Sequence, residues 1–268
     1  IKPEGMRYKA GQYVFINCYQ IAPHEWHPFT LTSAPHEQYL SLHIRAAGDW
    51  TNALYKAVQD YKQCRRSIAT LETGADAAYP FNIRVAGPYG APAQSYEEFQ
   101  VAVCIGCGIG VTPYASVLSD VLHSIRDEKS IRLKKVYFHW VVRTRREASW
   151  FKTLLDEISA DDICGVLDIN IHLTSLKNGN DLRVMLLRLA EFEDIDEEQG
   201  KVVGRSVVHF GYPDWPRTLQ LIQEKHSDVS RVGVFYCGPS SLSNELKAEC
   251  IKQSRVKAPK FTFRTEYF

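Results

Sequence analysis

The sequence lacks several features that would assign it to a specialised class of protein. No apolar run in its 268 residues approaches the ~18 residues of a membrane-spanning helix, and residues 1–5 do not have the form of a signal peptide. The net charge is only +1, so there is no global electrostatic reason to expect binding to nucleic acid or acidic lipid. No internal repeat is found, which argues against a solenoid. We expect the chain as written to be soluble, with any basic site confined to a small part of it.

The seven cysteines do not have the spacing of a disulfide framework. Their number is odd and they are scattered through apolar segments, which fits a reducing compartment best. Cys104 and Cys107 form a C-x-x-C pair, but no second pair or histidine couple is present to complete a metal site. We therefore expect no bound metal, and we interpret both residues as small buried hydrophobic side chains.

The composition allows a substantial core and two domains. Hydrophobic residues make up 45% of the chain and aromatic residues 12%, which is enough to fill the interior of a protein of this size. In the first third, short apolar runs alternate with glycine and proline, a pattern typical of a small antiparallel barrel. The predicted strands are 13–16, 29–32, 39–44 and 82–85. A helix is predicted at 51–61 with Thr51 as its cap, followed by an irregular loop at 62–80.

After Pro92 the pattern changes to strands and helices in alternation, which favours a doubly wound parallel sheet. The predicted strands are 101–105, 135–142, 167–173, 204–209, 231–237 and 260–264. The predicted helices are 114–124, 147–158, 181–190, 216–226 and 240–254, and the acidic segment 191–199 is interpreted as a solvated insertion. We therefore expect two domains, residues 1–92 and 93–268.

A glycine-rich turn between an apolar strand and a helix is the most informative local feature. Its residues are Gly106, Gly108, Gly110, Thr112 and Pro113, and the next helix begins at the proline. Glycines let the backbone pass close to a phosphate, and the N–H groups of the first helical turn point at its negative charge. The spacing departs from the full dinucleotide fingerprint, and no acidic residue follows at the usual distance. The turn therefore predicts a nucleotide site without identifying the nucleotide.

Further short motifs accompany the turn in a fixed order along the chain. They are His27-Pro28-Phe29-Thr30, His43-Ile44-Arg45, Gly48-Asp49-Trp50-Thr51, Gly87-Pro88-Tyr89-Gly90, Tyr236-Cys237-Gly238-Pro239 and Glu266-Tyr267-Phe268. Together they resemble the C-terminal dehydrogenase region of the NADPH oxidase family, which includes the dual oxidases and the plant respiratory-burst oxidases, within the ferredoxin-NADP reductase superfamily. The resemblance covers nearly the whole chain. It implies a β + α/β fold, in which an antiparallel FAD-binding barrel precedes a doubly wound, parallel-sheet domain that binds NADPH.

The resemblance implies that the first three motifs bind FAD. Phe29 would give the isoalloxazine ring a flat apolar neighbour, and Thr30 would offer a hydrogen bond near N5. His27 and Arg45 would lie near the pyrophosphate, and the turn that starts at Gly48 would offer backbone donors. The full set is His27, Pro28, Phe29, Thr30, His43, Ile44, Arg45, Gly48, Asp49, Trp50 and Thr51. The alternative for Phe29 is a core residue of a barrel strand.

For the nicotinamide nucleotide, the resemblance implies that the glycine turn binds the pyrophosphate and ribose. The run Cys237, Gly238 and Pro239 follows strand 231–237 at the sheet edge where parallel sheets bind ligands. Arg143 matches the family position for the 2′-phosphate, which the planar fork of arginine binds in a bidentate manner. The alternatives are a core cysteine for Cys237 and a solvated basic helix start for Arg143.

One motif for the 2′-phosphate departs from the family pattern. The family's Gly-Arg-Pro is Gly211-Tyr212-Pro213 here, so one arginine is missing. The sequence therefore leaves open whether the site discriminates against NADH. Tyr212 could stack on adenine or donate its hydroxyl. Arg145, Arg146 or Arg217 could compensate for the missing arginine.

The end of the chain departs as well, because the family's penultimate Asn is Tyr267 here. The resemblance implies that Phe268 covers the flavin face where nicotinamide must lie and that it moves during hydride transfer. A terminal aromatic residue that packs on the barrel is the alternative.

The motifs give one functional expectation with two alternatives. The resemblance implies that NADPH gives a hydride to FAD, with Thr30, Cys237 and Phe268 in the transfer step, and that electrons then pass to haem for reduction of O₂ to superoxide or H₂O₂. Soluble ferredoxin-type reductases have Arg where His27 stands, so the histidine favours the oxidase and ferric-reductase branch. A ferric reductase module is therefore one alternative, and a nucleotide-sensing module without turnover is the other.

The resemblance also implies partners and a location. Family members carry a haem-bearing transmembrane domain before this region, so we expect the sequence to be a fragment of a membrane protein, with this region on the cytosolic side. Regulatory subunits or a calcium-binding domain are further partners that the resemblance allows.

Overall fold

Two β-sheets organise the chain in its computed structural model. The structure describes residues 2–69, 81–129, 131–143, 150–151, 154–155, 157, 165–174 and 207–267. The first sheet lies in the N-terminal third of the chain and the second lies in the remainder, as the two sequence patterns predict.

The N-terminal sheet has three antiparallel strands, β1 (Tyr13–Cys18), β2 (His27–Thr30) and β3 (Ile83–Tyr89), in the order β2-β1-β3. Val14, Ile16 and Cys18 alternate along β1 and are buried in one small core. Trp50 and Leu31 close that core from outside the sheet. The antiparallel prediction is confirmed for these strands, although β2 begins two residues before the predicted start at 29.

The predicted strand at 39–44 is wrong, because these residues form no strand in the structure. The backbone N–H of Ser41 donates to the hydroxyl of Ser33 (3.0 Å) rather than to a neighbouring strand. A side-chain bond has therefore replaced a bond of the sheet, a competition that serine and threonine side chains often win in short segments.

Helix α1 (Asp49–Ala69) is longer than the sequence analysis predicts. It begins two residues before 51 and continues through 62–69, so the loop prediction is wrong for that stretch, while 70–80 lie outside the described residues. No glycine or proline interrupts this span, and nothing in it stops a helix. Thr51 is not the cap residue, since it is the third residue of α1 and its Oγ1 accepts the N–H groups of Ala47 and Gly48, each at 2.9 Å.

The second sheet has six strands, and every neighbouring pair is parallel. They are β4 (Val101–Cys107), β5 (Lys135–Val142), β6 (Leu167–Leu173), β7 (Val207–Phe210), β8 (Arg231–Cys237) and β9 (Lys260–Glu266). Their spatial order is β7-β6-β5-β4-β8-β9. The predicted doubly wound parallel sheet is confirmed, and β9 extends two residues beyond the predicted end at 264.

Helices cover both faces of this sheet. They are α2 (Thr112–Arg126), α3 (Trp215–Lys225) and α4 (Ser240–Val256), each within two residues of its predicted bounds. Along β4, Ala102 and Cys104 pack on the α2 side, while Val103 and Ile105 pack on the side of α3 and α4. Burial on both faces explains why the strand reads as a continuous apolar run. The predicted helix 181–190 and insertion 191–199 lie outside the described residues, as does most of helix 147–158.

The strand order places a crevice at one point of the sheet. From β4 the chain builds outward to β7, and it then returns to form β8 on the other side of β4. In doubly wound sheets such a reversal leaves a ligand-binding crevice at the carboxyl ends of the two strands. Here those ends are Cys107 and Cys237.

Candidate functional site

The glycine turn lies directly against the end of β8. After β4 a short 3₁₀ helix, Gly108–Val111, leads into α2, whose first turn contains Thr112 and Pro113. A Cβ atom on Gly110 would overlap the backbone carbonyl of Cys237, and a Cβ on Gly106 would lie 2.9 Å from Cα of Val111. Only glycine permits these approaches, so the turn is held close to the crevice by contacts between backbones.

The turn is also fixed from the neighbouring strand. Gly108 has a φ of +56°, and its carbonyl accepts a hydrogen bond from Nε1 of Trp140 on β5 (3.0 Å). Gly106 pairs in register with both Trp140 and Cys237, so three strands meet at this level of the sheet. The predicted pyrophosphate turn and the predicted nicotinamide cysteine are therefore neighbours in the structure.

Cys237 is buried, and the residues that follow it leave the sheet in a tight turn. Burial raises the pKa of its thiol well above the usual range, so the group is a neutral thiol at pH 7. Gly238 has a φ of +155°, and a Cβ there would lie 2.6 Å from that of Cys107. The carbonyl of Pro239, an exposed residue that precedes α4, accepts the hydroxyl of Tyr236 at 2.9 Å.

Glu266 is a buried acid at the same edge that the motif reading did not assign to the site. It pairs in register with Cys237, and its Oε1 accepts the N–H of Ala93 (2.6 Å). Oε2 is buried and has no hydrogen-bond partner among the described residues. Burial raises the pKa of this carboxyl to about 7, against the opposing effect of the bond from Ala93. The terminal motif contains the signal for this residue, but ending the predicted strand at 264 left it outside the sheet.

On the flavin side, three rings are stacked beside β2. The ring of Trp50 contacts those of His27 (centroids 4.3 Å apart, planes at 32°) and Phe29 (6.0 Å, 28°). Pro28, between them in sequence, is exposed. Nε2 of His27 also lies within hydrogen-bond distance of Oε2 of Glu25 (3.0 Å). A carboxylate there opposes the expected role of His27 beside an anionic pyrophosphate.

Two buried polar atoms in this region have no partner among the described residues. They are Oγ1 of Thr30 and Nε1 of Trp50. Each is a hydrogen-bond donor, and leaving a buried donor unsatisfied costs ~1–3 kcal/mol. A flavin, which carries ring nitrogens, carbonyls and ribityl hydroxyls, offers acceptors of the kind that both atoms need. The residues present therefore fit such a cofactor.

The second flavin motif is divided between interior and surface. Nδ1 of His43 lies 2.9 Å from Oγ1 of Thr32, and its ring stacks on Trp150 of the C-terminal half (4.0 Å, 25°). Burial lowers the pKa of His43, which favours a neutral imidazole at pH 7. Ile44 is partly buried against the N-terminal core, while Arg45 is exposed. Arg45 is thus the cation of this motif that stays free to reach a ligand phosphate.

The third flavin motif forms the start of α1, and only part of it is available to bind a phosphate. The N–H groups of Ala47 and Gly48 donate to Oγ1 of Thr51, so these two donors are already used. Asp49 is exposed in the first turn, and its charge opposes an anion near the helix start. Only backbone donors beyond Gly48 remain for the role that the resemblance implies.

Three residues that the sequence analysis offers for the 2′-phosphate, Arg143, Tyr212 and Arg217, follow the carboxyl ends of strands in the structure. Arg143 follows the end of β5 and is exposed, and Tyr212 follows β7 and is 75% exposed. Arg217 lies in the first turn of α3, where its N–H donates to the capping carboxylate of Asp214 (3.1 Å). Arg145, Arg146 and Phe268 lie outside the described residues. Tyr267 is exposed, and its hydroxyl lies 3.2 Å from that of Ser243 on α4.

Comparison with protein families shows which family the chain belongs to. Residues 99–251 match the family model described as the ferric reductase NAD-binding domain, and residues 1–93 match one described as an FAD-binding domain. The chain belongs to the ferric reductase NAD-binding domain family. The expected cofactor classes, a flavin dinucleotide and a nicotinamide dinucleotide, are confirmed at the level of the domain families.

Relatives of this ferric reductase NAD-binding chain include two kinds of oxidase. Respiratory burst oxidase homolog protein D of Solanum tuberosum is 35% identical over 283 residues, covering 100% of this chain and 33% of that protein. Dual oxidase 1 of Canis lupus familiaris is 36% identical over 269 residues, covering 100% of this chain and 17% of that protein. The resemblance to the NADPH oxidase family is confirmed. The chain spans about a third or less of the length of these relatives.

Solved structures confirm the fold class. The FAD/NAD-binding domain of a nitric oxide dioxygenase from Vibrio cholerae O1 biovar El Tor superposes with a TM-score of 0.58 at 13% identity. The match covers 98% of this chain and 87% of that one. An antiparallel flavin-binding part followed by a parallel nucleotide-binding sheet is therefore the shared architecture. Within the described ranges, the structure contains no helix that is both long and apolar enough to cross a bilayer.

Proposed function

We propose that this chain is the flavin dehydrogenase part of a membrane-bound NADPH oxidase. It would take a hydride from NADPH to FAD and pass electrons to haem in a preceding transmembrane domain, for reduction of O₂ to superoxide or H₂O₂. Residues 1–92 would form the flavin domain and residues 93–268 the nucleotide domain, on the cytosolic side of the membrane. The haem partner, the oxygen product and the membrane location are supported by similarity to two oxidase groups over the whole chain.

One observation carries the proposal: Gly110 packs on the backbone of Cys237 at the point where the strand order reverses. This contact brings two separate motifs, 127 positions apart in sequence (237 − 110), into one crevice. A nucleotide whose pyrophosphate lies on the glycine turn would extend its nicotinamide towards Cys237 and Glu266.

The protein's part in this chemistry is to bind, orient and exclude water. FAD, when bound, accepts a hydride and releases electrons one at a time. Thr30 would donate through Oγ1 to the flavin, and Trp50 through Nε1. Cys237 would offer an apolar surface, since its thiol stays protonated. Glu266 would hold a proton on its buried Oε2 near neutral pH and so present a neutral donor beside Cys237.

Steady-state electron transfer to an artificial acceptor tests the proposal. The purified chain, loaded with FAD, should oxidise NADPH when ferricyanide is supplied, and the chain without flavin should not. Absence of NADPH oxidation in the presence of bound FAD would overturn the dehydrogenase assignment and favour a nucleotide-sensing module.

A ferric reductase is the second candidate, favoured by the family model that matches residues 99–251. The two candidates share every residue of the proposed hydride-transfer step and differ in the final acceptor. The complete parent protein decides between them, when its NADPH-dependent rate of O₂ reduction is compared with its rate of reduction of a ferric chelate. A faster rate with the chelate would replace the oxidase assignment.

A further inference from the structure

One face of α2 contacts the loop that follows β2 in the flavin half. Three side chains of this face, Ser116, Ser119 and His123, are spaced at i, i+3 and i+7 along the helix. All three contact residues 33–37, a segment that begins shortly after Thr30. We call this contact the seam. It joins the helix that follows the glycine turn to the segment that follows a proposed flavin residue.

The seam contains a hydrogen bond that is buried at both ends. Oγ of Ser116 donates to the backbone carbonyl of Ser33 at 2.7 Å. Ser116 is 0% exposed and Ser33 is 1% exposed, so water has no access to either partner. The hydroxyl of Tyr8, from the flavin half itself, lies 3.1 Å from the same carbonyl. The carbonyl of Ser33 is therefore held from its own half by one hydroxyl and from the other half by a second.

The other end of the seam is held by two stacked rings. The imidazole of His123 lies on that of His36, with centroids 3.7 Å apart and planes at 20°. Between the two ends, Oγ of Ser119 lies 3.5 Å from Oε1 of Glu37. His123 is two helical turns, or about 10 Å, beyond Ser116. Contacts at two separated points fix the direction of α2 along the loop as well as its distance from it.

Directional contacts matter here because the two halves share almost no apolar core. Among described residues 2–69 and 81–89, only Ala10 belongs to a core of the six-stranded sheet. Apolar burial has no preferred direction, whereas a hydrogen bond requires a narrow range of distance and angle. The bond between the amides of Gln12 and Gln94 (2.7 Å) also joins the halves, but it is only half-buried. The bond at Ser116 is shielded from water and so constrains the halves more strictly.

The seam lies close to both proposed cofactor sites. Ser116 is one helical turn after Thr112, which begins α2 at the end of the glycine turn. Ser33 follows shortly after Thr30, whose buried Oγ1 has no partner among the described residues. Hydride transfer requires the reacting atoms to lie about 3–3.5 Å apart, and a misplacement of about 1 Å can lower the rate by a factor on the order of 100. A small movement at the seam would therefore change the rate strongly.

We propose that Ser116 is a positioning residue, whose hydrogen bond to Ser33 sets the distance between bound nicotinamide and flavin. This role rests on the proposed dehydrogenase function. Without the hydroxyl, α2 loses its buried tie to the loop, and the two rings spend less time at reacting distance. The affinity for each cofactor stays the same, because Ser116 is enclosed between α2 and the loop and touches neither cofactor site.

Rapid anaerobic mixing of the FAD-loaded chain with NADPH over a range of concentrations tests this role. Ser116→Ala should lower the limiting rate constant of flavin reduction about fivefold or more, with the Kd values for NADPH and FAD within about twofold of the wild type. Ser124→Ala, at a half-buried serine further along the same helix, is the control and should leave the rate unchanged. A serine with a purely structural role would lower the unfolding temperature without this separation of rate from affinity.

The charge-transfer absorbance of nicotinamide stacked on flavin gives a second readout. Titration of the reduced, FAD-loaded chain with NADP⁺ should give a weaker long-wavelength band in Ser116→Ala than in the wild type or Ser124→Ala. A wild type whose flavin is not reduced by NADPH would overturn the proposed function and, with it, this role. A wild type that is reduced, together with a Ser116→Ala variant of equal rate and equal charge-transfer absorbance, would overturn the role of Ser116 alone.

Discussion

The two halves of the molecule hold their candidate site residues in different ways. In the C-terminal half, Gly106, Cys237 and Glu266 lie at the ends of parallel strands and are fixed by backbone contacts and register. In the N-terminal half, His43 and Arg45 lie in a segment without strand structure. The nucleotide half therefore fixes its site residues through the sheet itself, whereas the flavin half has buried donors whose hydrogen bonds a cofactor would complete.

Buried polar atoms without a hydrogen-bond partner occur in both halves of the described chain. Thr30 and Trp50 leave buried donors unpaired in the flavin half. In the nucleotide half, Oε2 of Glu266 is buried without a partner among the described residues, beside a turn in which Gly106 and Gly110 lie close to other backbone atoms. We infer that the nucleotide crevice is preformed and that the flavin site gains packing and hydrogen bonds from its ligand.

The largest effect is expected where the crevice is tightest. In Gly110→Ala the new methyl group would overlap the Cys237 carbonyl, so β8 or the turn must shift. Overpacking of this kind costs about 3 kcal/mol of the free energy of unfolding, measured by urea denaturation, and should abolish nucleotide binding.

Gly48→Ala is the matched control, because a Cβ there meets nothing within 4 Å. Its free energy of unfolding should stay within about 0.5 kcal/mol of the wild type. Equal stability of the two variants would mean that the crevice is not preformed.

The next effect concerns the buried acid of the nucleotide half. The pKa of Glu266 is raised from 4.5 to about 7 in the folded state, so the folded chain keeps a proton that the unfolded chain loses between those values. The free energy of unfolding should therefore fall by on the order of 3 kcal/mol as the pH rises from about 4.5 to 7. Above pH 7 it should stay level.

Glu266→Gln keeps an acceptor for the N–H of Ala93 and cannot ionise. Urea denaturation at a series of pH values should show that the variant loses this fall in stability. A parallel pH dependence in both proteins would show that the carboxyl is solvated in the folded state.

On the flavin side, Arg45→Ala should weaken FAD binding by about 1.5–3 kcal/mol, the range for losing a charge-assisted hydrogen bond. Equilibrium dialysis against FAD measures the change, and FMN, which lacks the adenylate half, should bind weakly to both proteins. Arg132→Ala, an exposed arginine before β5 at the opposite edge of the sheet, is the control. Unchanged FAD affinity in Arg45→Ala would remove this residue from the site.

The smallest effect is expected at the adenosine end, where the resemblance implies that Tyr212 stands in place of an arginine. Arg143→Ala should raise the KM for NADPH about tenfold, which corresponds to ~1.4 kcal/mol, and should leave that for NADH nearly unchanged. Tyr212→Arg should sharpen the preference for NADPH. If Arg143→Ala raises both KM values alike, the 2′-phosphate is bound elsewhere.

The sequence predicted the nucleotide half better than the flavin half, for physical reasons. Strands β5 and β8 have the bounds that their apolar runs predict, because burial on both faces requires such runs. Strand β6 also has its predicted bounds, although polar residues alternate with apolar ones along it. The prediction of a strand at 39–44 was wrong because the hydroxyl of Ser33 accepts the backbone N–H of Ser41. No pattern of hydrophobicity reports such a bond. The glycine turn and Cys237 could be placed at one sheet edge from the strand alternation alone.

Other parts of the site depended on tertiary contacts that no local pattern shows. Glu266 became a buried acid only because β9 continues to it and its carboxyl meets Ala93. The stacking of His27 on Trp50 joins residues 23 positions apart (50 − 27) from separate motifs.

Anaerobic rapid mixing of the FAD-loaded chain with NADPH shows whether the two halves form one centre, because hydride transfer requires both halves at once. We expect the oxidised-flavin absorbance to be lost in a single turnover, with no such loss in Gly110→Ala, whose substitution lies outside the flavin half. Persistence of oxidised flavin in the wild type, with both FAD and NADPH shown to be bound, would contradict the claim that the crevice and the flavin site form one centre.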